Sequence, residues 1–390
     1  MGIARNLNRF FYKALRQPVY AASVLSKRLA ARAHYIFAGG KSSDPESITL
    51  FLTHRCNLRC KMCGQWGDGG VTRKAAEAAA GSIEGAGLIK NELPFENIVS
   101  LVDEVARYKP NITLFGGEPL LHTRAVDIIR HVKSKGLHCL IITNGSLLSP
   151  MAEAVASSGL DELNVSLDGP ADLHDRIRAL PGLYGKIMSG LRKMAAIKLS
   201  KNSSKPLVNI QCTITKYNIS RLEEMPRVAE EAGADSLTFH NLIFTDARLL
   251  EEQRRCDAML GCSSGDWEGF NFEPGLDPEE LYDRMSRILS REHKFSMDFY
   301  PNFSRAELIK YYRDPCFSPG LRCLSPWIAA YVFPDGEVRP CLNCTYSYGN
   351  IKSSSFGSSW NGDKAIAFRR ALKKAGAFPL CRRCTELYRY

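Results

Sequence analysis

From Ile48 onward the chain repeats one unit, a short apolar segment followed by an amphipathic stretch closed nearby by Gly or Pro, and few folds accept that rhythm. The apolar segments are Ile48 to Thr53, Ile112 to Phe115, His138 to Thr143, Glu162 to Leu167, Leu207 to Thr215 and Ser236 to Ile243. Their length and polar boundaries predict buried strands. Between them Phe95 to Tyr108, Ala125 to Lys135, Pro150 to Ser158, Gly185 to Ile197 and Arg221 to Ala232 read as helices. Six βα units feed a parallel sheet, and right-handed crossovers curl it into an α/β partial (β/α)6 barrel.

Two segments break the rhythm. Gly64 to Leu93 is rich in Gly and Ala and reads as a flap. Thr245 to Pro278 holds Cys256, Cys262, Gly261, Gly265 and Gly269 among polar residues, and reads as an irregular insertion that shapes a pocket. The expected organisation is a basic arm over residues 1–45, a barrel over 46–300 with its insertion at 244–280, and a cysteine-bearing tail over 301–390.

In such a barrel, chemistry collects where the strands end. The first strand ends in Cys56-Asn57-Leu58-Arg59-Cys60-Lys61-Met62-Cys63, three thiols in eight residues. Disulfides between such near neighbours would close strained loops, and thirteen cysteines is an odd number. A structural zinc would want a fourth ligand in range, and His54 lies on the wrong side of Cys56. The spacing suits an iron–sulfur cluster whose fourth iron is left open. The next strands end in Gly116-Gly117-Glu118-Pro119, in Thr143-Asn144-Gly145 and in Ser166-Leu167-Asp168-Gly169-Pro170. Glycines let backbone approach a ligand, while Glu118, Asn144, Ser166 and Asp168 offer polar groups to an amino acid and a ribose.

At these residues the chain resembles a radical S-adenosylmethionine (radical SAM) enzyme. The similarity runs from about Ile48 to the C-terminus. The family's C-x3-C-x-Φ-C motif matches Cys56, Cys60 and Cys63, with Met62 where an aromatic residue is commoner, and its Gly-Gly-Glu motif matches Gly116, Gly117 and Glu118. Ser166 to Pro170, followed by His174, Asp175 and Arg178, resembles a subgroup pattern in which the serine and arginine reach the cofactor. The resemblance implies a 4Fe–4S cluster whose open iron is chelated by the methionyl group of S-adenosylmethionine, and an external low-potential electron donor of the flavodoxin or ferredoxin type. It also implies reductive cleavage to a 5'-deoxyadenosyl radical, which abstracts hydrogen from an unactivated carbon.

Beyond Pro301 the tail carries Cys316, Cys323, Cys341, Cys344, Cys381 and Cys384. Tyr331 to Phe333, the turn Pro334 to Glu337 and Val338 to Cys341 read as a hairpin, and a helix follows from Lys364 to Lys374. The two C-x2-C pairs by themselves fit zinc as well as iron. The arrangement resembles the twitch form of the SPASM extension of radical SAM enzymes. By that resemblance Cys323, Cys341, Cys381 and Cys384 hold one auxiliary 4Fe–4S cluster, Cys344 being able to replace one of them, and this cluster accepts the electron left after hydrogen abstraction. Cys139 and Cys212 fall in strands and read as small core residues.

Composition limits partners and location. No apolar run approaches the roughly 18 residues of a membrane span, and scattered cysteines with short C-x2-C groups favour a reducing interior, so the cytosol is expected. The formal charge of +11 is concentrated: Arg5, Arg9, Lys13, Arg16, Lys27, Arg28, Arg32 and Lys41 stand within residues 1–41 without an acid. Ile3 to Leu15 predicts an amphipathic helix ending before Pro18, and a second piece runs from Tyr20 to Phe37. This arm fits a helix packed over the end of the barrel, peripheral attachment of residues 1–37 to an anionic membrane, or a targeting sequence. The expected substrate is a sugar- or aminocyclitol-like small molecule, a peptide or a lipid. RNA modification, prompted by the basic tail residues Arg369, Arg370, Lys373, Lys374, Arg382 and Arg383, and a zinc-ribbon interaction protein on an inactive barrel are the alternatives.

Overall fold

The computed structural model describes residues 17–78 and 92–390. All six expected strands form: β1 (Ser47–Phe51), β2 (Asn111–Phe115), β3 (Cys139–Thr143), β4 (Glu162–Ser166), β5 (Leu207–Thr213) and β6 (Ser236–His240). They pair in parallel in chain order. Ile48, Leu50, Ile112, Leu114, Ile141, Leu163 and Val165 are all fully buried, as expected of strands covered on both faces.

The sheet is longer than the sequence rhythm suggests. A further strand, β7 (Ser296–Tyr300), pairs in parallel with β6, and β8 (Ala329–Val332) pairs in parallel with β1 on its free side. β9 (Glu337–Arg339) and β10 (Gly349–Asn350) continue outward as antiparallel ribbons, so the order is β10-β9-β8-β1-β2-β3-β4-β5-β6-β7. The expected tail hairpin is therefore an edge of the barrel's own sheet. The chain terminus lies against both sides of the opening: Tyr300 Oη donates to the Thr385 carbonyl at 2.6 Å, and the Glu386 carboxylate helps push up the pKa of Tyr331 in β8, after the larger effect of burial.

The helix Pro18–Phe37 packs at the N-terminal ends of the strands, opposite the cysteine loop. Lys27 Nζ donates to the carbonyls of Pro45, Tyr108 and Lys109, Arg28 pairs with Glu46 at 2.7 Å, and Gln17 donates to Glu162. Two of the basic residues that suggested an anionic surface thus tie the arm to the barrel. The segment Ile3 to Leu15 lies outside the described residues. Among the described residues no helix is long and apolar enough to cross a membrane.

The described parts of the two interruptions are more ordered than their composition indicated. Residues 64–70 form packed turns leading into the helix Val71–Ala78, and residues 79–91 lie outside the described set. The insertion contains a helix, Ala247–Leu260, started by the Asp246 side chain accepting from Leu249 N–H and stopped by Gly261 at φ +65°. Its Leu249 and Leu250 join Trp267 and Leu380 in a small apolar cluster, so it packs against the tail. Part of the basic tail is also internal. Arg369 and Arg383 are buried and donate to the carbonyls of Pro326 and Asp314, while Arg370 and Lys373 donate to Gly39 and Ile36. Those four cations each hold separate segments together.

Candidate metal centre

The glycine pair after β2 grips the chain as it leaves β1. Gly117 N–H donates to the Thr53 carbonyl and Glu118 N–H to the Arg55 carbonyl, both at 2.8 Å, which extends the β1–β2 pairing to the threshold of Cys56. A Cβ on Gly117 would stand 2.2 Å from Arg55 O, and one on Gly116, whose φ is +151°, 2.6 Å from Thr53 O. The close approach these glycines permit is to the cysteine loop's own backbone, whereas the sequence suggested a ligand.

Glu118 is wholly buried. Its Oε1 accepts from Thr143 Oγ1 at 2.7 Å and Leu120 N–H at 3.0 Å, and its Oε2 accepts from Asn144 N–H at 2.7 Å. The carboxylate fastens the end of β2 to the end of β3, and its remaining acceptor capacity is what a ligand could use. Burial pushes its pKa up to about 7, partly offset by those three donors. The folded chain therefore keeps this proton up to about pH 7, while the unfolded chain loses it near 4.5. The folded state binds more protons in that window, so Glu118 makes stability fall as pH rises through it, by about 3 kcal/mol in all. Urea unfolding between pH 4.5 and 7.5 should show that slope in the wild type and lose it in Glu118→Gln.

Asn144 is anchored through Oδ1, which accepts from Ser146 N–H, and its Nδ2 donates to Asn57 Oδ1 at 2.9 Å and points at Cys56 Sγ at 4.0 Å. Asp168, fully buried, accepts from Arg178 Nε at 2.5 Å and from Thr213 N–H at 2.9 Å. Arg178 then reaches Cys60 Sγ with Nη1 at 3.8 Å. The third sulfur, Cys63 Sγ, faces Trp66 N–H at 3.3 Å. Each thiol of the loop is thus met by an N–H donor from a different segment. Ser166 ends β4 beside Gln211 of β5, half-buried, and makes no side-chain hydrogen bond to the loop.

Burial raises the Cys56 thiol to about 12 and pushes Cys60 up as well, with Arg178 opposing the latter. Two thiols that resist ionisation alone, in a loop whose three sulfurs stand among N–H donors, fit a site where metal displaces the proton. Donors to the sulfurs also tune a cluster's potential. Among the described residues no three His, Cys, Asp or Glu side chains converge as ligands of one ion would. A multi-iron cluster spaces its thiolates more widely than one ion does.

The tail thiols also gather. Cys323 stands beside Cys381 and Cys341 beside Cys344, and Cys384 lies near enough to act on Cys323 and Cys341. Cys262 of the insertion stands 3.7 Å from Cys344, Sγ to Sγ. Cys139 and Cys212 are buried strand residues, as expected. Two contributors escaped the sequence reading: Trp66, and Asn218, whose Nδ2 donates to the carbonyls of Asp168 and Thr213 and fixes the Asp168 turn. Neither belongs to a motif.

Residues 50–239 match the model of the radical SAM superfamily, and residues 323–385 match that of an iron–sulfur cluster-binding domain, SPASM. The chain belongs to the radical SAM superfamily. It is an enzyme of that superfamily with a C-terminal SPASM-type domain, and 4Fe–4S clusters are implied by the two domains together. Among curated relatives it is 23% identical over 361 residues to the tungsten-containing aldehyde ferredoxin oxidoreductase cofactor-modifying protein of Pyrococcus furiosus, covering 87% of this chain and 86% of that one. It is 26% identical over 369 residues to the Fe-coproporphyrin III synthase of Methanosarcina barkeri (89% and 82%) and 26% identical over 337 residues to the pre-heme d1 synthase of Dinoroseobacter shibae (82% and 74%). Solved structures share the fold: Streptococcus suis SuiB bound to S-adenosylmethionine, with TM-score 0.59 at 13% identity (87% and 71%), and anSMEcpe bound to AdoMet, with TM-score 0.52 at 18% identity (83% and 82%).

Proposed function

We propose that this chain is a radical SAM oxidoreductase in which Cys56, Cys60 and Cys63 hold the cofactor-binding 4Fe–4S cluster and Cys323, Cys341, Cys381 and Cys384 hold an auxiliary one. When bound, these groups and S-adenosylmethionine supply a 5'-deoxyadenosyl radical that abstracts hydrogen, and an acceptor for the electron left on the substrate. The observation that carries the assignment is the set of three sulfurs in one loop, each faced by its own N–H donor.

This chain's residues then divide the work. Gly116 and Gly117 fix the entry of the loop, and Glu118 fastens the ends of β2 and β3 around it. Arg178, oriented by Asp168, keeps a positive charge beside Cys60 that favours the thiolate. Trp66, buried, donates from its indole to the His54 carbonyl at 2.7 Å and closes one side of the loop to water.

The substrate we infer is a small molecule bearing carboxylates. Arg59 and Lys61 are exposed within the cysteine loop itself, and Lys61 and Lys216 both lie over the Tyr217 ring, at 4.9 and 5.5 Å from its centroid. Cations beside an aromatic face suit a flat anionic ligand, and two relatives bear tetrapyrrole-synthase names. The test is 5'-deoxyadenosine formation by reduced protein with three substrate sets. Carboxylated tetrapyrroles should stimulate it, whereas stimulation only by neutral sugars or by peptides would overturn the substrate class. The triple variant C56A/C60A/C63A should form no 5'-deoxyadenosine while keeping about four irons per chain.

A further inference from the structure

The helix Pro18–Phe37 is turned inside out. Ala22, Leu25, Leu29, Arg32, Ala33 and Ile36 follow one another at helical spacing and share one face, and all six are exposed. Val19 and Phe37, near its two ends, are each 84% exposed. The opposite face is the polar one: Lys27 reaches the carbonyls of Pro45 and Lys109, Arg28 reaches the Glu46 carboxylate, and within the helix only the small Ala21 and Ala31 are buried. A helix docked on a globular protein ordinarily buries its apolar stripe and shows its charges to water. Here hydrogen bonds and an ion pair hold the helix down, and the apolar stripe is left facing outward.

This exposure is concentrated. Nine large apolar side chains are exposed among the described residues, and five of them, Val19, Leu25, Leu29, Ile36 and Phe37, belong to this one helix. A sixth, Leu321, adjoins its end, since Arg322 Nη1 donates to Tyr35 Oη at 3.3 Å. Scattered apolar residues need no explanation, whereas a clustered set marks a contact surface.

Charge selects the partner. The helix holds no acid, and Arg32 on the stripe is exposed, as are Lys41 and Arg322 at the C-terminal end. Arg370 and Lys373 add their charge at that end, donating to the Gly39 and Ile36 carbonyls. The nearby acids keep to the barrel side, where Glu46 pairs with Arg28 and Asp44 acts on Lys27. Two copies meeting through this face would set cations against cations, and aliphatic side chains offer nucleic-acid bases neither stacking nor hydrogen bonds. An apolar stripe rimmed by cations suits an anionic bilayer, in which the side chains enter the acyl boundary and the cations meet the headgroup phosphates.

We propose that the outward face of the helix Pro18–Phe37 is a docking surface for an anionic phospholipid bilayer. Docking there holds the barrel by the N-terminal ends of its strands, so the cysteine loop at the opposite end faces the aqueous side.

The experiment sediments full-length protein, purified without oxygen, with phosphatidylcholine vesicles that contain or lack phosphatidylserine. The wild type should bind the anionic vesicles at least about tenfold more tightly than the neutral ones, and added salt should release it. The uncharged substitutions L25Q/L29Q/F37Q should weaken that binding at least about tenfold, and Arg32→Gln about fivefold. The control L199Q/M259Q, at exposed apolar residues of two other helices, should leave it unchanged. If the triple variant fails to fold, Arg32→Gln decides alone. Absence of binding, equal binding to the two kinds of vesicle, or wild-type binding by the folded stripe variants would overturn the proposal. So would a dimer formed without vesicles, or an RNA complex, that L25Q/L29Q/F37Q abolishes.

Discussion

Gly117→Ala is expected to abolish radical formation by a protein that still folds around its tail. The added methyl would stand 2.2 Å from Arg55 O and 2.7 Å from His54 O, both backbone atoms of the segment that delivers Cys56. Backbone cannot rotate aside as a side chain does, so the β1–β2 extension must open and the Gly117–Thr53 and Glu118–Arg55 hydrogen bonds must lengthen. Overpacking of this kind costs about 1–3 kcal/mol, but the larger consequence is geometric, because Cys56 moves relative to Cys60 and Cys63. Iron per chain should fall by about four, the content of one cluster, and 5'-deoxyadenosine should disappear. Unchanged iron with full turnover would show that the loop tolerates displacement.

The second large effect is expected from Asp168→Ala. Asp168 and Arg178 form an ion pair whose side chains are 0% and 11% exposed, and Arg178 has no other carboxylate partner among the described contacts. Removing the carboxylate strands a buried guanidinium, which costs about 3–5 kcal/mol, and also takes away the acceptor of Thr213 N–H. Urea unfolding should register a loss of that order, and the Cys60 side of the loop should lose iron most readily. The double substitution D168L/R178M, which leaves no lone charge, should recover most of the stability and none of the activity. Equal stability of Asp168→Ala and wild type would mean that Arg178 finds water where the structure shows it enclosed.

Much of this was legible because periodic burial leaves a pattern in sequence. Six strands were readable since both faces of a central parallel strand are apolar, as in Ile48 to Leu52. β7 was not, since Ser296, Met297 and Asp298 are only half-buried and give no such run. The helix Ala171–Arg178 was missed for the same reason, as it buries only Leu173, His174 and Ile177 among polar neighbours. The pairing of β8 with β1 joins residues about 280 apart, and neither strand alone carries information about its partner.

The site shows the same division. Motif residues were visible at strand ends, but their partners were not: that Glu118 spends its carboxylate on Thr143, Asn144 and Leu120, or that Arg178 turns between Asp168 and Cys60, follows from packing. The insertion was misjudged because its glycines suggested irregularity. They serve instead as the helix stop at Gly261 and the contact point at Gly269, where a Cβ would stand 1.9 Å from Gly64 O.

The most direct measurement of the central claim is iron and acid-labile sulfide per chain in protein purified without oxygen, paired with 5'-deoxyadenosine formation after reduction with S-adenosylmethionine present. Two 4Fe–4S sites predict at least about eight irons with matching sulfide, and 5'-deoxyadenosine formation that requires Cys56, Cys60 and Cys63. Four irons with one zinc would remove the auxiliary cluster, and protein without iron that still forms product would contradict the account as a whole.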